Sequence, residues 1–422
     1  MRVALMTSGS QGDVAPFTGL GAGLLAAGHK VTLVTHGRFE PLVADTGMRF
    51  RALPIDPQEQ MHSERGRALH RSNTGAGKLI RVLALARSLA CEMADGLVEA
   101  AQGHDVIVAS ASLAPAACTI ALGLGVPCAG AYLQPLHPTR EFAPAMVSER
   151  SLGGVGNRLA AHAVDVALDR VYTDVTRDLR KRLGLPAVGP TTARRARERR
   201  GWSVVYGYSP IVVPRPADWR PGLDPVGYWW PYDARELPST VEDFLRAGPP
   251  PVFVGLGSAT VPDPGRVGEQ VVRALRAAGL RGIVQRGWAD LGATGDDMLT
   301  IDDVPHHLLF PRVAAVVHHA GAGTAAAGLR AGVPSVPVPI QLDGAFWSDR
   351  LVRLGVAPGA VPLRRLSADG LRAALVEATG RPRYRDRAGA IAARLAVEDS
   401  IAPVDALVGR LAGGGGGESR RG

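Results

Sequence analysis

The chain has 422 residues, 46% of them hydrophobic and 21% charged, which is too long for one ordinary domain and apolar enough to fill a core without disulfide or metal staples. The net charge is +9, but aromatics make up only 5% and none interleave with the arginine-rich run 193–201, so a nucleic-acid groove is not expected. The three cysteines, Cys91, Cys118 and Cys128, form a sparse and odd set that argues against a disulfide framework and fits a reducing cytoplasm.

The N-terminus, "MRVALMTSGSQGDVAPF", has too short an apolar part for a signal peptide, and no run of about eighteen uncharged apolar residues predicts a membrane span. Residues 2–8 read as a buried strand, 15–29 as a helix with Pro16 in its first turn and Gly28 as its stop, and 30–36 as a second strand. Two more strands, 105–110 and 127–134, flank a helical stretch over 114–125. The segment 208–238 is rich in proline and aromatics with little periodicity, and reads as a linker. The alternation then restarts with a strand over 250–258 entering a Gly-Ser turn, a helix over 263–279, and strands over 281–288, 298–304, 313–319 and 334–340. The glycine-rich tail 413–422 reads as disordered.

Strands alternating with helices imply parallel sheets covered on both faces, hence an α/β chain of two similar domains. The expected division is 1–210, a linker over 211–238, a second domain over 239–411 and a tail from 412 to 422. Ligands of such sheets bind outside the carboxyl ends of the strands, so two facing sheets would enclose a cleft lined by both sets of loops.

What fills that cleft is narrowed by exclusion. "GSQGDV" (9–14) is not G-x-G-x-x-G, and the second strand ends "VTHGRF" without an acid to hold a ribose hydroxyl, which weakens a nicotinamide or flavin reading. No phosphate-cradling G-x-x-x-x-G-K-[ST] loop and no zinc-ligand spacing occurs. "HHAGAGT" (318–324) offers another phosphate site. Gly321 and Gly323 allow close backbone approach, the first amides of the following helix lack internal partners, and the helix dipole favours an anion there. Thr324 adds a hydroxyl and His319 a ring N–H, a grip that needs no lysine or metal. His318 is expected to point away and pack, and His29 to be structural.

"HHAGAGTAAAGLRAGVP" resembles the donor-binding signature of nucleotide-sugar-dependent glycosyltransferases of the two-Rossmann, GT-B kind, in the bacterial natural-product and sterol branch. "GSQGDVAPF", "LHPTREFAP", "YGYSPIVVPRPADW", "VFVGLGS", "VPHHLLFPRVAAVVHHAGAGT" and "FWSDRL" resemble that branch in order, over about residues 1–410. The resemblance implies two facing Rossmann-like domains, with acceptor bound by the first and a UDP- or dTDP-sugar by the second. It implies Asp13 as general base, and inversion at the anomeric carbon. It further implies donor contacts from Ser10, Gly12, Ser258, the backbone of Val304, His319, Gly321, Gly323, Thr324, Asp343 and Gly344. No cofactor or metal beyond the nucleotide-sugar co-substrate is implied. The acceptor is expected to be a hydrophobic molecule bearing a hydroxyl, such as a polyketide or sterol-like compound. His137, Glu141 and Phe142 are its candidate contacts, and the run 56–88 and the loop 134–150 its candidate walls.

Several alternatives stand beside these expectations. Asp13 is also read as a cap for the helix expected near Pro16. Gln11 stands where the family commonly has arginine, and Asp343-Gly344 where it commonly has Asp-Gln. The first departure removes a charged contact; the second removes an amide and makes a donor with fewer hydroxyls easier to envisage. Together they motivate a second reading, a catalytically silent GT-B helper for a partner enzyme. An epimerase acting on the nucleotide sugar is a third. The five arginines within 193–201 read as a solvated surface, or as a basic face for an acidic ligand or membrane.

Overall fold

The computed structural model describes residues 1–54, 92–147, 150–259, 261–340 and 343–414. Among these, the strands form two sheets in which every neighbouring pair is parallel. The first contains β1 (Arg2–Met6), β2 (Lys30–His36), β3 (Arg49–Leu53), β4 (Val106–Ala109), β5 (Cys128–Tyr132), β6 (Val204–Tyr206) and β7 (Leu223–Pro225), in the order β3-β2-β1-β4-β5-β6-β7. The second contains β8 (Val252–Gly255), β9 (Gly282–Gln285), β10 (Met298–Ile301), β11 (Ala315–His318) and β12 (Ser335–Pro337), in the order β10-β9-β8-β11-β12.

Helices α1 (Gln11–Ala26), α2 (Ala94–Ala101), α3 (Ala114–Leu124), α4 (Gly153–Val171), α5 (Thr173–Arg182) and α6 (Pro190–Arg199) accompany the first sheet. With the second lie α7 (Ser239–Arg246), α8 (Pro264–Ala277), the single turn α9 (His306–Leu309), α10 (Ala322–Ala331), α11 (Gly344–Arg353), α12 (Ala368–Gly380) and α13 (Pro382–Leu395). The final helix, α14 (Ala402–Gly414), follows them in the chain.

The central strands β1, β4, β8 and β11 are largely apolar because both faces are covered, whereas the edge strand β3 keeps Arg49 and Arg51 exposed. In β1, Val3 and Leu5 point to the face packed by Phe17, Leu20 and Leu24 of α1, while Ala4 and Met6 meet α2, α3 and α5 on the other. In β8, Val252 and Val254 face α8 and α12, and Phe253 faces α7 and Phe310.

Two findings change the expected organisation. Part of the proline-rich segment is the edge strand β7, and its aromatics are buried rather than solvated: Trp229 packs edge-on against Phe17 at 5.8 Å, and Trp219 stacks on Tyr206 at 4.7 Å. A proline is tolerated at a sheet edge, so Pro225 does not forbid the strand. The last helix then crosses back. Val404, Leu407 and Val408 of α14 enter the first domain's core, and Asp405 meets the His29 ring at 2.7 Å. The expected second domain therefore gives its last helix to the first sheet, and the structural reading of His29 holds through that pair.

Candidate active site

In each sheet the strand order reverses direction beside its first strand, between β1 and β4 in one and between β8 and β11 in the other. Loops on either side of such a reversal part and leave a crevice at the carboxyl ends. "GSQGDV" follows β1, Ser258 follows β8, and "HHAGAGT" leaves β11, so sheet topology alone brings the expected residues to the two crevices.

The first crevice holds Asp13. The helix begins at Gln11, four residues earlier than the sequence suggests, so the motif is itself the helix start. Ser10 is the N-cap in extended conformation, and Asp13 is the third helical residue. The Ser10 amide donates to Asp13 Oδ2 at 2.8 Å and the Ser10 hydroxyl at 3.0 Å. Both bonds run from Ser10 to Asp13, the half of a capping box in which the third helical side chain reaches back to the N-cap amide, so Asp13 does serve the helix start, though from inside the first turn. Gly9, at φ +138°, is obligatory here because a Cβ would overlap the Asp13 carboxylate. Its amide donates to Nε2 of the fully buried His36 at 3.2 Å, which fixes the loop from the end of β2. Burial raises the Asp13 pKa, Ser10 opposes the shift through both bonds, and Asp343 across the cleft adds to it. Gly12 is exposed on the same turn.

The second crevice holds the histidine–glycine turn. His318 ends β11 fully buried, its Nδ1 accepting from the Ala320 amide at 3.2 Å. Ala320 adopts φ +61°, a left-handed conformation costly for a residue with a Cβ, and this kink redirects the chain into α10. The His319 ring lies between two backbones: a Cβ at Gly257 or at Gly321 would overlap it. Its Nδ1 is buried without a partner, and burial lowers its pKa to about 4, so the ring is neutral near pH 7. Gly321 caps α10 and offers no side chain, and the first internal bond runs from the Ala325 amide to its carbonyl at 3.0 Å. The amides of Ala322, Gly323 and Thr324 therefore have no partner within the helix. A Cβ at Gly323 would meet nothing within 4 Å, and Gly323 is exposed, so the outer side of this first turn is open.

Other donor-side residues lie around this turn. Ser258 is partly exposed in the turn after β8. The Val304 side chain is buried with Ile301 and Phe310, so only its backbone is offered to a ligand. Asp343 precedes α11, and its Oδ2 accepts from the Trp347 indole at 2.8 Å. Burial raises its pKa, while Trp347 and the side chain of Gln134, from the end of β5, oppose that shift. Gln134 thus reaches Asp343 from the opposite domain. Sequence reasoning did not single it out or His36, although both occupy carboxyl ends of predicted strands.

The two departures from the family pattern have structural reasons. Gln11 donates to Asp303 Oδ2 at 3.3 Å, and Arg235 reaches the same oxygen at 3.0 Å. The cation near this spot comes from the interdomain segment rather than from position 11. A Cβ at Gly344 would sit 3.0 Å from the His319 carbonyl oxygen, so glycine lets α11 start close under the histidine turn.

The acceptor-side expectations fare differently. The Nδ1 of His137 bonds the Tyr206 hydroxyl, its Nε2 lies 3.5 Å from Glu198, and its ring packs among Tyr132, Tyr206 and Trp219. Both nitrogens of His137 are therefore engaged within the protein. Glu141 accepts from the Ala217 amide at 2.6 Å and fastens a neighbouring loop. Phe142 packs edge-on against Phe346 at 5.4 Å, and Arg350 lies over both rings, so it joins the two domains. The run 56–88 lies outside the described residues. A cavity of about 460 Å³ lined by Ser203, Asp224, Glu398, Asp399 and Arg410 lies where α14 crosses β6 and β7, away from all these residues.

Residues 3–120 match the glycosyltransferase family 28 N-terminal domain, and residues 281–408 the erythromycin biosynthesis protein CIII-like C-terminal domain. An O-mycaminosyltylonolide 6-deoxyallosyltransferase from Streptomyces fradiae is 34% identical over 411 residues, covering 95% of each chain. A sterol 3-beta-glucosyltransferase from Arabidopsis thaliana is 33% identical over 387 residues, covering 89% of this chain and 60% of its own length. This chain thus spans less than two thirds of the plant relative. A glycosyltransferase of Streptomyces sp. SF2575, solved with thymidine diphosphate, superposes with a TM-score of 0.65 at 18% identity, over 97% of this chain and 99% of the other. That likeness shows the fold: two parallel-sheet Rossmann-like domains.

Proposed function

The chain belongs to the GT-B nucleotide-sugar-dependent glycosyltransferases, and on that premise we propose that it moves a sugar from a UDP- or dTDP-sugar to a hydroxyl of a hydrophobic natural-product acceptor, with inversion. The observation that carries this reading is the pairing of unlike crevices. One presents a carboxylate with raised pKa, and the other presents unpartnered helix amides beside a neutral imidazole.

In this mechanism the diphosphate rests on the amides of Ala322, Gly323 and Thr324, and the His319 ring donates to it. Those dipoles are aimed before the reaction begins, so they stabilise the charge that grows on the departing diphosphate. They supply what a divalent cation supplies in other transferases. Asp343 and Gln134 receive the sugar hydroxyls. Both Ser10 bonds fall on Asp13 Oδ2, so Oδ1 is the atom that takes the acceptor proton. A raised pKa makes this carboxylate a stronger base than an exposed aspartate. The deprotonated oxygen attacks the anomeric carbon opposite the diphosphate as that bond breaks, and the product is inverted.

The silent-helper reading drew on Gln11 and Gly344, and both positions now have a packing reason. The natures of the two relatives, one acting on a sterol and one on O-mycaminosyltylonolide, support an apolar, hydroxyl-bearing acceptor. A panel of UDP- and dTDP-sugars tests the donor side. A cognate donor at about a hundred times its Kd stabilises the fold by about 2.7 kcal/mol and raises the melting temperature. No shift with any member would overturn the reading.

A further inference from the structure

The arginine-rich run 193–201 remains unexplained by the site, and the structure resolves it into two faces. Arg194 of α6 turns inward, onto Asp169 at 3.0 Å and Asp165 at 3.3 Å, both on α4. Arg197 stacks over Trp202 at 4.3 Å. Arg195 and Arg199 are left exposed.

Helix α4, against which α6 packs, leaves large apolar side chains exposed at its start. It buries Asn157 and Asp169 together with Ala161 and Val171, while Val155 and Leu159 are 67% and 64% exposed and the N-cap residue Leu152 is 52% exposed. Val155 and Leu159, four residues apart, lie on one exposed stripe of the helix. Met146 and Val147, just ahead of the helix, are exposed as well. Exposed apolar side chains clustered in this way mark an interaction surface.

The exposed charges carried by α4 itself are of one sign, and the exposed Asp218 lies near Arg158 on its flank. The exposed ionisable side chains of α4 are Arg158, His162 and Arg170. Its acids Asp165 and Asp169 are taken by Arg194. Arg158 of α4 and Arg195 of α6 both lie near the His162 ring, which also sits 3.7 Å from Asp165.

We propose that this face docks the protein onto an anionic lipid surface, with Leu152, Val155 and Leu159 entering the headgroup boundary and Arg158 and Arg195 meeting lipid phosphates. An apolar stripe flanked by cations is the chemistry such a surface selects. A protein partner or second copy would be expected to bring acids to one particular arginine pair, whereas here the exposed cations are spread along α4 and α6. The loop ahead of α4 also carries Phe142, which packs on the second domain. If the transferase reading holds, docking presents that junction to the phase where an apolar acceptor dissolves, but docking itself does not rest on that reading.

The test is co-sedimentation of the full chain with phosphatidylcholine vesicles, with and without phosphatidylglycerol, at low and high salt. Partition onto the anionic vesicles alone is expected, and it should weaken as salt screens the arginines. Arg158→Ala and Arg195→Ala should each reduce it about fivefold. The double change Val155→Gln, Leu159→Gln should reduce it at least tenfold, since each apolar side chain contributes on the order of a tenfold factor when buried. The melting temperature, which reports folding independently, should be unchanged in all of these variants. Failure to pellet with anionic vesicles at low salt overturns the proposal, as does partition indifferent to these changes. A dimer in light scattering that the Val155/Leu159 variant dissolves, without vesicle binding, would assign the face to a second copy instead.

Discussion

At the β1–α1 turn a carboxylate is fastened at the helix start: the Ser10 amide and hydroxyl both donate to Asp13 Oδ2. At the β11–α10 turn the same strand-to-helix geometry is capped by Gly321, which has nothing to close it with. Both turns sit where a parallel sheet reverses its strand order, and both are glycine-rich. Asp13 gives one turn its own negative charge, whereas the other leaves that place open, as the proposed anion seat requires. The open end is further shaped by the strain at Ala320 and the histidine pressed between Gly257 and Gly321. Strain of this kind, held by surrounding packing, clusters at functional sites and accords with the proposed seat.

The comparison breaks most severely at the closed turn. Asp13→Asn keeps an acceptor for the Ser10 amide but removes the base, and turnover should fall by about a hundredfold or more in an initial-rate assay. In the unchanged protein kcat/KM should fall as pH drops through the raised Asp13 pKa, above the ordinary carboxylate range. The stability effect has the opposite sign. Because the folded-state pKa is raised, the ionised carboxylate disfavours the fold at pH values above the ordinary carboxylate range. Asp13→Asn should therefore melt no lower than the wild type near neutral pH. A melting point clearly below it would show that the carboxylate is needed chiefly as a cap.

At the open turn, His319→Ala removes one hydrogen bond to a charged ligand, worth about 1.5–3 kcal/mol. Calorimetry should show roughly 10- to 100-fold weaker binding of the nucleoside diphosphate. Equal affinity would remove the ring from the site. Smaller again is Gln11→Arg. Asp303 already carries Arg235, so the added exposed pair should change kcat/KM by no more than about fivefold. The smallest effect is on stability alone. Ala320→Gly relieves the left-handed strain but gives back chain entropy, for a net gain of at most about 1 kcal/mol in urea unfolding with donor affinity unchanged.

Much of this was legible in the chain. Strand 30–36 coincides with β2, and the other strand readings overrun the observed ones by a residue or a few at their ends, because apolar runs continue into the turns. The start of α1 was misplaced since Pro16 reads as a first-turn proline, whereas it lies deeper and leaves the Gly12 carbonyl without its usual helix donor. β7 hid behind its prolines, which edge strands tolerate. The return of α14 to the first sheet has no local signal, since an amphipathic helix does not state which core it joins. The strand–glycine–helix form of the 318–324 turn was readable because its residues are contiguous. The surroundings of His137, Glu141 and Phe142 were not, because Tyr206, Ala217 and Phe346, which pack against them, come from distant segments.

The unequal endings of the two turns can be tested by closing the open one. Gly323 is exposed and has room for a side chain, so Gly323→Asp places a carboxylate at the second residue of α10 without steric cost, where it favours the helix and occupies the anion's place. Calorimetric titration of dTDP and UDP into the wild type, Asp13→Asn and Gly323→Asp is the most direct measurement. The account predicts similar affinity in the first two, and at least hundredfold weaker binding in Gly323→Asp with its melting temperature retained. Undiminished binding in Gly323→Asp, or binding lost in Asp13→Asn as well, would contradict it.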